Sequence, residues 1–232
     1  MQRIFITGAN RGLGLEVVRQ YLERGDQVFA AARKFDAVEQ YDGQYKGKLS
    51  KIKLDVDNMD DIAAAAQQVR AEVDGLDVLV NNAAINPREP EYRSLGSLRP
   101  EALEHSIHTN AIAPLMIVQA FLDLLKNGRN PKLINISTQQ GSMQFKTSGG
   151  GYAYSISKAA LNMATRVLAG DLGAQGVITM MIHPGWVQTD MGGSGAPLST
   201  QQSASSLLKI IDNLTPKDNG RFFNINGEDH RC

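Results

Sequence analysis

The chain has 232 residues, and its 24 lysines and arginines are balanced by 24 aspartates and glutamates. That length predicts one domain which buries roughly 70% of its unfolded surface, and the even charge without a basic tract argues against nucleic-acid binding. The single cysteine, Cys232, excludes a disulfide within the chain. No apolar run reaches the ~20 residues of a membrane span, and the first apolar run is too short for a signal peptide. We therefore expect a cytoplasmic protein with no membrane partner.

Short apolar runs alternate with longer helical patterns along the whole chain. The strand candidates are residues 3–7, 27–32, 50–54, 76–81, 132–137, 177–182 and 221–225. The helix candidates are residues 13–24, 59–73, 100–126, 154–172 and 200–213. Because the strands are almost continuously apolar and helices separate them, the pattern predicts an α/β fold. We expect a Rossmann-like, doubly wound parallel sheet of about seven strands with helices on both faces, in one domain over residues 1–232.

A glycine-rich loop follows the first predicted strand and opens the first helix. Glycine lets the backbone adopt φ > 0 and approach a pyrophosphate, which then lies at the helix N-terminus. An ordinary strand-to-helix turn is the alternative, but the position in the first strand–helix unit favours dinucleotide binding. We assign all three glycines of the loop to the pyrophosphate. The predicted cofactor contacts here are Thr7, Gly8, Asn10, Arg11, Gly12, Leu13 and Gly14.

This loop resembles the Thr-Gly-x-x-x-Gly-x-Gly motif of the short-chain dehydrogenase/reductase family. The other segments that resemble family motifs are Leu54-Asp55-Val56, Asn81-Asn82-Ala83-Ala84, Thr109-Asn110-Ala111, Tyr154-Ser155-Ile156-Ser157-Lys158 and Pro184-Gly185 with Thr189. The second of these departs from the family by Ala84 in place of glycine. The resemblance covers nearly the whole chain and implies an adenine contact from Asp55. The further cofactor contacts that it implies are Val56, Asn82, Ala83, Tyr154, Lys158, Pro184, Gly185, Val187 and Thr189.

The residues after the second strand predict which dinucleotide binds. Enzymes that use NAD often place an acidic residue there to bind the ribose 2′-hydroxyl. Here the strand ends in Arg33 and Lys34, and Asp36 follows only after both. Two cations would pair with a 2′-phosphate, with Arg11 adding positive charge on the same side. A solvated strand exit is the alternative, and we predict NADP(H) as the cofactor.

Tyr154 and Lys158 are four residues apart, so a helix places them on one face. An ammonium beside a phenol stabilises the phenolate, and we therefore expect Lys158 to lower the pKa of Tyr154 for general acid–base work. The third catalytic group should be a hydroxyl at the end of the fifth strand, where the family pattern favours Thr138 over Ser137. The family also implies that Asn110 supports a proton relay from Lys158. Pro114, four residues on, should bend that helix and free carbonyls near Asn110.

These features together predict an NADPH-dependent reductase that converts the carbonyl of an aldehyde or ketone to an alcohol. The segments 183–193 and 220–227 look most like a compact carbonyl-reductase branch that includes the C-factor and sniffer proteins. Because some C-factor relatives have signalling roles, a cofactor-binding sensor with little turnover is the alternative function. Family members commonly pair through helices equivalent to residues 100–126 and 154–172, which implies a homodimer or homotetramer. We expect glycines at 149–151 and 192–195 to form mobile rims, and no metal, since no residue cluster has metal-ligand spacing.

Overall fold

The computed structural model describes residues 1–230, so Cys232 lies outside the described residues. Seven strands form one sheet in the spatial order β3-β2-β1-β4-β5-β6-β7, and all neighbouring strands are parallel. The strands are β1 (Arg3–Thr7), β2 (Gln27–Ala32), β3 (Leu49–Lys53), β4 (Val78–Asn81), β5 (Lys132–Ile136), β6 (Ile178–His183) and β7 (Phe222–Asn224). The order reverses between β1 and β4, which is where such sheets bind ligands. The predicted Rossmann-like, doubly wound fold is confirmed.

Helices cover both faces of this sheet. They are α1 (Gly12–Glu23), α2 (Met59–Glu72), α3 (Pro90–Arg93), α4 (Pro100–Ile107), α5 (Ala113–Ala120), α6 (Leu122–Lys126), α7 (Tyr152–Gly173) and α8 (Thr200–Asn213). Successive residues of β1 face opposite sides: Ile4 and Ile6 join a core with α1 and α8, whereas Phe5 joins a core with α2, α5 and α6. Two buried faces explain why the strands are apolar at almost every position. No helix within residues 1–230 is long and apolar enough to cross a bilayer.

The predicted helix over residues 100–126 is wrong as one continuous element. A π-helical turn, His108–Ile112, separates α4 from α5, and Phe121 separates α5 from α6. Pro114 has no amide hydrogen to donate to the carbonyl of Asn110, so regular α-helical bonding cannot continue past that point. The expected distortion beside Asn110 is therefore confirmed, and it falls directly on that residue.

Candidate active site

A cavity of about 1520 Å³ opens at the carboxyl edge of the sheet. Segments that follow each of β1 to β6 line it, so the cavity spans the crossover between β1 and β4. All but two of the predicted site residues line this cavity. Those that do are Gly8, Asn10, Arg11, Gly12, Leu13, Gly14, Arg33, Lys34, Asp55, Val56, Asn82, Ala83, Ser137, Thr138, Tyr154, Lys158, Pro184, Gly185, Val187 and Thr189. Thr7 and Asn110 do not line the cavity, and their side chains form hydrogen bonds with other parts of the chain.

The N-terminus of α1 is suited to an anion. Among residues 1–230 no side chain caps its first amides, and its first turn contains no acidic residue. In contrast, the side chain of Asn58 caps α2 and that of Ser199 caps α8. Uncapped amides and the positive end of the helix dipole favour a phosphate group at this point. The residues present therefore fit the pyrophosphate of a dinucleotide.

The glycines of the loop differ in what surrounds the position that a Cβ would occupy. A Cβ at Gly14 would lie 2.2 Å from the carbonyl oxygen of Gly8 and 2.5 Å from Nδ2 of Asn82. Gly8, at φ +65°, would place a Cβ 2.9 Å from Cα of Ala83. Both residues therefore allow one protein segment to approach another, in addition to lining the cavity, and the assignment of all three glycines to the pyrophosphate stays a prediction. Gly12, at φ +55°, faces Thr189 across the cavity instead.

Thr7 connects β1 to the loop after β4. Its buried hydroxyl accepts hydrogen bonds from the backbone amides of Asn82 and Ala83, both at 3.0 Å. Asn82 Nδ2 in turn donates to the carbonyl oxygens of Thr7 at 3.0 Å and Gly8 at 3.2 Å. These bonds fix the two sides of the crossover relative to each other. Thr7 thus holds the glycine loop and the loop after β4 together without lining the cavity itself.

The predicted cationic pocket is present only in part. Arg33 and Lys34 line the cavity, and the side chain of Arg33 is 75% exposed with Nη1 4.0 Å from Oδ2 of Asp55. Arg11 points elsewhere, because its Nη1 donates to Oδ2 of Asp190 at 2.6 Å. That ion pair joins the glycine loop to the loop after β6. We expected the positive charge of Arg11 beside Arg33, but it is paired with the carboxylate of Asp190.

Tyr154 and Lys158 lie on the first two turns of α7 and line the cavity together. Lys158 Nζ is 6.0 Å from the centre of the Tyr154 ring and donates to the carbonyl oxygen of Ile136 at 2.9 Å. Burial lowers the pKa of Lys158 to about 8 and raises the pKa of Tyr154 to about 12. Burial is the cause of the tyrosine shift within the described chain, and its direction is opposite to the lowering that we expected. Tyr154 is accordingly protonated at neutral pH.

Ser137 and Thr138 follow β5, and their hydroxyls have different partners. Ser137 Oγ is buried and donates to Oδ1 of Asn162 at 2.5 Å. Thr138 Oγ1 accepts a hydrogen bond from the backbone amide of Gln140 at 3.3 Å, which leaves its hydrogen available for a substrate oxygen. The geometry favours Thr138 as the substrate-binding hydroxyl. The choice between them stays a prediction.

Asn162 holds the turn that carries Thr138 against α7, and sequence reasoning missed it. Besides accepting from Ser137, it donates from Nδ2 to the carbonyl oxygen of Gly141 at 3.1 Å. Gly141 packs so tightly that a Cβ there would lie 2.7 Å from the backbone carbonyl carbon of Lys158. The two contacts hold both ends of the turn against the helix of Tyr154 and Lys158.

Asn110 is fully buried in the π-helical turn and uses its whole amide group. Its Nδ2 donates to the carbonyl oxygen of Ile85 at 2.8 Å and to Ser157 Oγ at 2.9 Å, and its Oδ1 accepts from the Ile85 amide at 2.8 Å. Asn110 therefore joins the loop after β4 to α7, where its partner Ser157 is the residue before Lys158. The proton relay implied for Asn110 stays a prediction.

Hydrogen bonds within the loop after β6, and to residues outside it, hold this loop in place. Trp186 Nε1 donates to the carbonyl oxygen of Gly192 at 2.8 Å, and the Gly192 amide donates to Thr189 Oγ1 at 3.0 Å. From outside the loop, Arg88 Nη2 donates to the carbonyl oxygen of Met191 at 3.0 Å. These bonds, with the Arg11 ion pair, hold the loop over the cavity. The expected mobility of this rim stays a prediction.

No group of three or more histidine, cysteine, aspartate or glutamate side chains within residues 1–230 is placed to hold a metal. His183 also lines the cavity, and burial lowers the pKa of this imidazole to about 4. It is therefore neutral at physiological pH.

Sheet order, the uncapped α1 beside the glycine loop and the Tyr154–Lys158 pair meet in one cavity. Fold and site together define a Rossmann-type oxidoreductase.

Comparison with known proteins identifies the family. A sequence profile described as short chain dehydrogenase matches residues 2–197. The C-signal protein of Myxococcus xanthus is 40% identical over 152 residues, which span 66% of this chain and 90% of that protein. The carbonyl reductase Sniffer of D. melanogaster superposes with a TM-score of 0.93 at 34% identity over 100% of both chains. An NADPH-bound carbonyl reductase from chicken fatty liver superposes with a TM-score of 0.92 at 33% identity over 100% of this chain and 99% of that one. The chain belongs to the short chain dehydrogenase family.

Proposed function

We propose that the chain is a single catalytic domain that reduces the carbonyl of a small aldehyde or ketone to an alcohol with NADPH. The observation that carries this proposal is that Tyr154, Lys158 and Thr138 line the same cavity as the glycine loop. Two solved structures that resemble the whole chain are carbonyl reductases. A carbonyl group between Tyr154 and Thr138 would meet two hydroxyl donors at the point where negative charge develops.

The cofactor proposal rests on charge. Arg33 and Lys34 line the end of the cavity beside Asp55, and the amides at the start of α1 are free for phosphate oxygens. The similar reductase from chicken fatty liver binds NADPH. When bound, NADPH supplies the hydride that reduces the carbonyl carbon. We expect Arg33→Ala to raise the KM for NADPH about tenfold and to leave the KM for NADH unchanged.

The chain's own groups supply the proton and hold the substrate. Tyr154 keeps its phenolic hydrogen at neutral pH, because burial raises its pKa to about 12, and donates that hydrogen to the carbonyl oxygen. Thr138 donates a hydrogen bond to the same oxygen. Lys158, held by the carbonyl of Ile136, keeps a positive charge beside the tyrosine below about pH 8.

Turnover of NADPH with a panel of aldehydes and ketones tests the function. Removal of the phenolic hydroxyl by Tyr154→Phe should lower turnover by about 10²–10⁴-fold, the usual contribution of a general acid, while NADPH still binds. Tyr152→Phe is the matched control, since it removes a neighbouring phenol whose residue four places on is Ile156. If the Tyr154→Phe protein were as active as the wild-type protein, the proposed role of Tyr154 would be contradicted.

A sensor or signalling protein is the second candidate, and the 40% identity with C-signal favours it. Such a protein would bind NADPH without reducing any carbonyl compound in the panel. Calorimetry of NADPH binding, run beside the turnover assay, separates the two functions.

We also propose that the chain forms a homodimer or homotetramer through α7. Ile156, Met163 and Val167 are exposed by 43%, 66% and 58%, and their spacing places them on one face of the helix. Ile112 on the neighbouring π-helical turn is 41% exposed. A molar mass measured by light scattering should exceed the 25.2 kDa of one chain, and Met163→Lys with Val167→Lys should reduce it to that value. A wild-type monomer would exclude this interface.

A further inference from the structure

Two cations line the cavity on the side of the reacting groups, apart from the Arg33 and Lys34 end. Arg93 and Lys146 are both half-buried, and neither forms a salt bridge with a carboxylate among residues 1–230. The ammonium of Lys146 donates only to neutral oxygens: the carbonyl and hydroxyl of Ser148, the latter at 3.0 Å, and the carbonyl of Gly149 at 3.3 Å. Both positive charges are thus uncompensated by the described chain.

These cations flank the segment that leads into Tyr154. The carbonyl oxygen of Arg93 accepts a hydrogen bond from the amide of Gly151 at 3.0 Å, and Gly151 immediately precedes α7. Lys146 contacts the same glycine run at Gly149. The first turn of the 22-residue α7 has no acidic residue, so its positive dipole end adds to the two cations. Both cations therefore belong to segments that are hydrogen-bonded to, or part of, the chain just before Tyr154.

The carboxylates that line the cavity are engaged elsewhere. Asp55 lies beside Arg33 after β3, and Asp190 pairs with Arg11 at 2.6 Å. Asp57 accepts hydrogen bonds from Thr109 at 2.9 Å and contacts His108 Nδ1 at 3.1 Å. None of the three neutralises Arg93 or Lys146. Among the described residues both cations therefore lack a negative partner, and an anionic ligand would supply one.

We infer that this site, if it is the reductase proposed above, prefers carbonyl compounds that carry a carboxylate group. The carbonyl lies between Tyr154 and Thr138, and the carboxylate is bound by Arg93 and Lys146. The planar guanidinium of Arg93 matches both carboxylate oxygens, and Lys146 adds a point charge. The exposed apolar side chains of Trp186 and Met191 also line the cavity, which favours an apolar body between the two polar groups.

The test compares 4-carboxybenzaldehyde with its methyl ester at saturating NADPH. We expect kcat/KM for the carboxylate to exceed that for the ester by about tenfold, which is the typical effect of one hydrogen bond to a charged group. Arg93→Gln and Lys146→Gln should each reduce this preference and leave turnover of the ester unchanged. The control is Arg99→Gln, which removes an exposed arginine that does not line the cavity and should keep the preference.

The outcomes separate the two proposals. Reduction of both aldehydes at equal rates, or a preference that survives in both glutamine variants, overturns the anionic subsite and leaves the reductase function intact. If neither aldehyde is reduced, the reductase function fails for this substrate class. Calorimetry with 4-(hydroxymethyl)benzoate and its methyl ester on the NADPH-loaded protein then decides the subsite. Binding of the acid alone, lost in Arg93→Gln, supports it, and equal binding of acid and ester overturns it.

Discussion

The two ends of the cavity are built in different ways. At the cofactor end, Gly8 and Gly14 are packed against backbone atoms and have no room for a Cβ. On the substrate side the packing is mixed: a Cβ at Gly192 would lie 2.0 Å from the carbonyl oxygen of Val187. However, Gly149, and Gly195 farther along the loop after β6, have no heavy atom within 4 Å of the position that a Cβ would occupy. Packing therefore fixes the dinucleotide end at Gly8 and Gly14, whereas the substrate end also contains loop positions that have room for a side chain. A fold can keep one cofactor and change its substrate if only the second kind of residue varies.

The largest effect should come from a methyl group added at the cofactor end. Gly14→Ala places a Cβ 2.2 Å from the carbonyl oxygen of Gly8, so backbone has to move. We expect a loss of about 1–3 kcal/mol in the free energy of unfolding, which is typical of overpacking, together with loss of NADPH binding. Thermal or denaturant unfolding and NADPH titration measure the two effects.

Gly195→Ala, in the loop after β6, is the matched control. Neither Gly14 nor Gly195 is among the residues with positive φ, so alanine is compatible with the backbone at both positions. We expect a stability change within about 0.5 kcal/mol and unchanged NADPH binding for Gly195→Ala. Equal effects of the two substitutions would remove the distinction between a fixed and a loose end.

An intermediate effect is expected where the two ends meet, at the hydroxyls after β5. Thr138→Val removes the donor that we propose for the substrate oxygen and should lower kcat by about 10²–10³-fold, as for other donors to a developing oxyanion. Ser137→Ala removes only the hydrogen bond to Asn162, so we expect a smaller loss of activity together with a lower Tm. Carbonyl reduction and thermal unfolding of both variants provide the measurement. The reverse order of activity would make Ser137 the substrate-binding hydroxyl.

Sequence predicted the packed end of the cavity better than the loose end. Strand boundaries and the glycine loop follow from apolar runs and turn chemistry, and six of the seven strands begin within one residue of the predicted position. The break beside Asn110 was visible only through Pro114, because the π-helical turn depends on one missing amide hydrogen. Arg93 and Asn162 carry no local signal. Their partners are distant in sequence, at Gly151 and Gly141, and only the folded chain brings them together.

Thr7 and Gly14 illustrate a further limit of sequence reasoning. A glycine motif predicts that backbone approaches something closely, but it does not identify what is approached. In this fold the Gly14 backbone approaches Gly8 and Asn82, and the hydroxyl of Thr7 binds the amides of Asn82 and Ala83. Part of the motif therefore encodes contacts between β1, α1 and the loop after β4, besides any contact that it makes with the ligand.

The smallest predicted effect is the pH dependence of Lys158, which lines the cavity beside Tyr154. Burial lowers its pKa from 10.5 to about 8, so the ammonium is lost as the pH rises through that value. Carbonyl reduction should therefore fall above about pH 8, toward tenfold per pH unit, while Tyr154 stays protonated because its pKa is about 12. The turnover that remains in Lys158→Arg should not fall over this pH range, because the guanidinium stays charged.

Stability should change in the opposite direction over the same pH range. Between about pH 8 and 10.5 the unfolded chain binds more protons at Lys158 than the folded chain, so the contribution of this group to the free energy of unfolding rises with pH. A fall in activity without a fall in Tm would thus assign the loss to titration rather than to unfolding. Lys132→Met is the matched control, because Lys132 is a second buried lysine whose pKa burial lowers, and it lies at the start of β5, outside the cavity lining. That variant should keep the alkaline fall in activity, and its disappearance would show that Lys158 is not the titrating group.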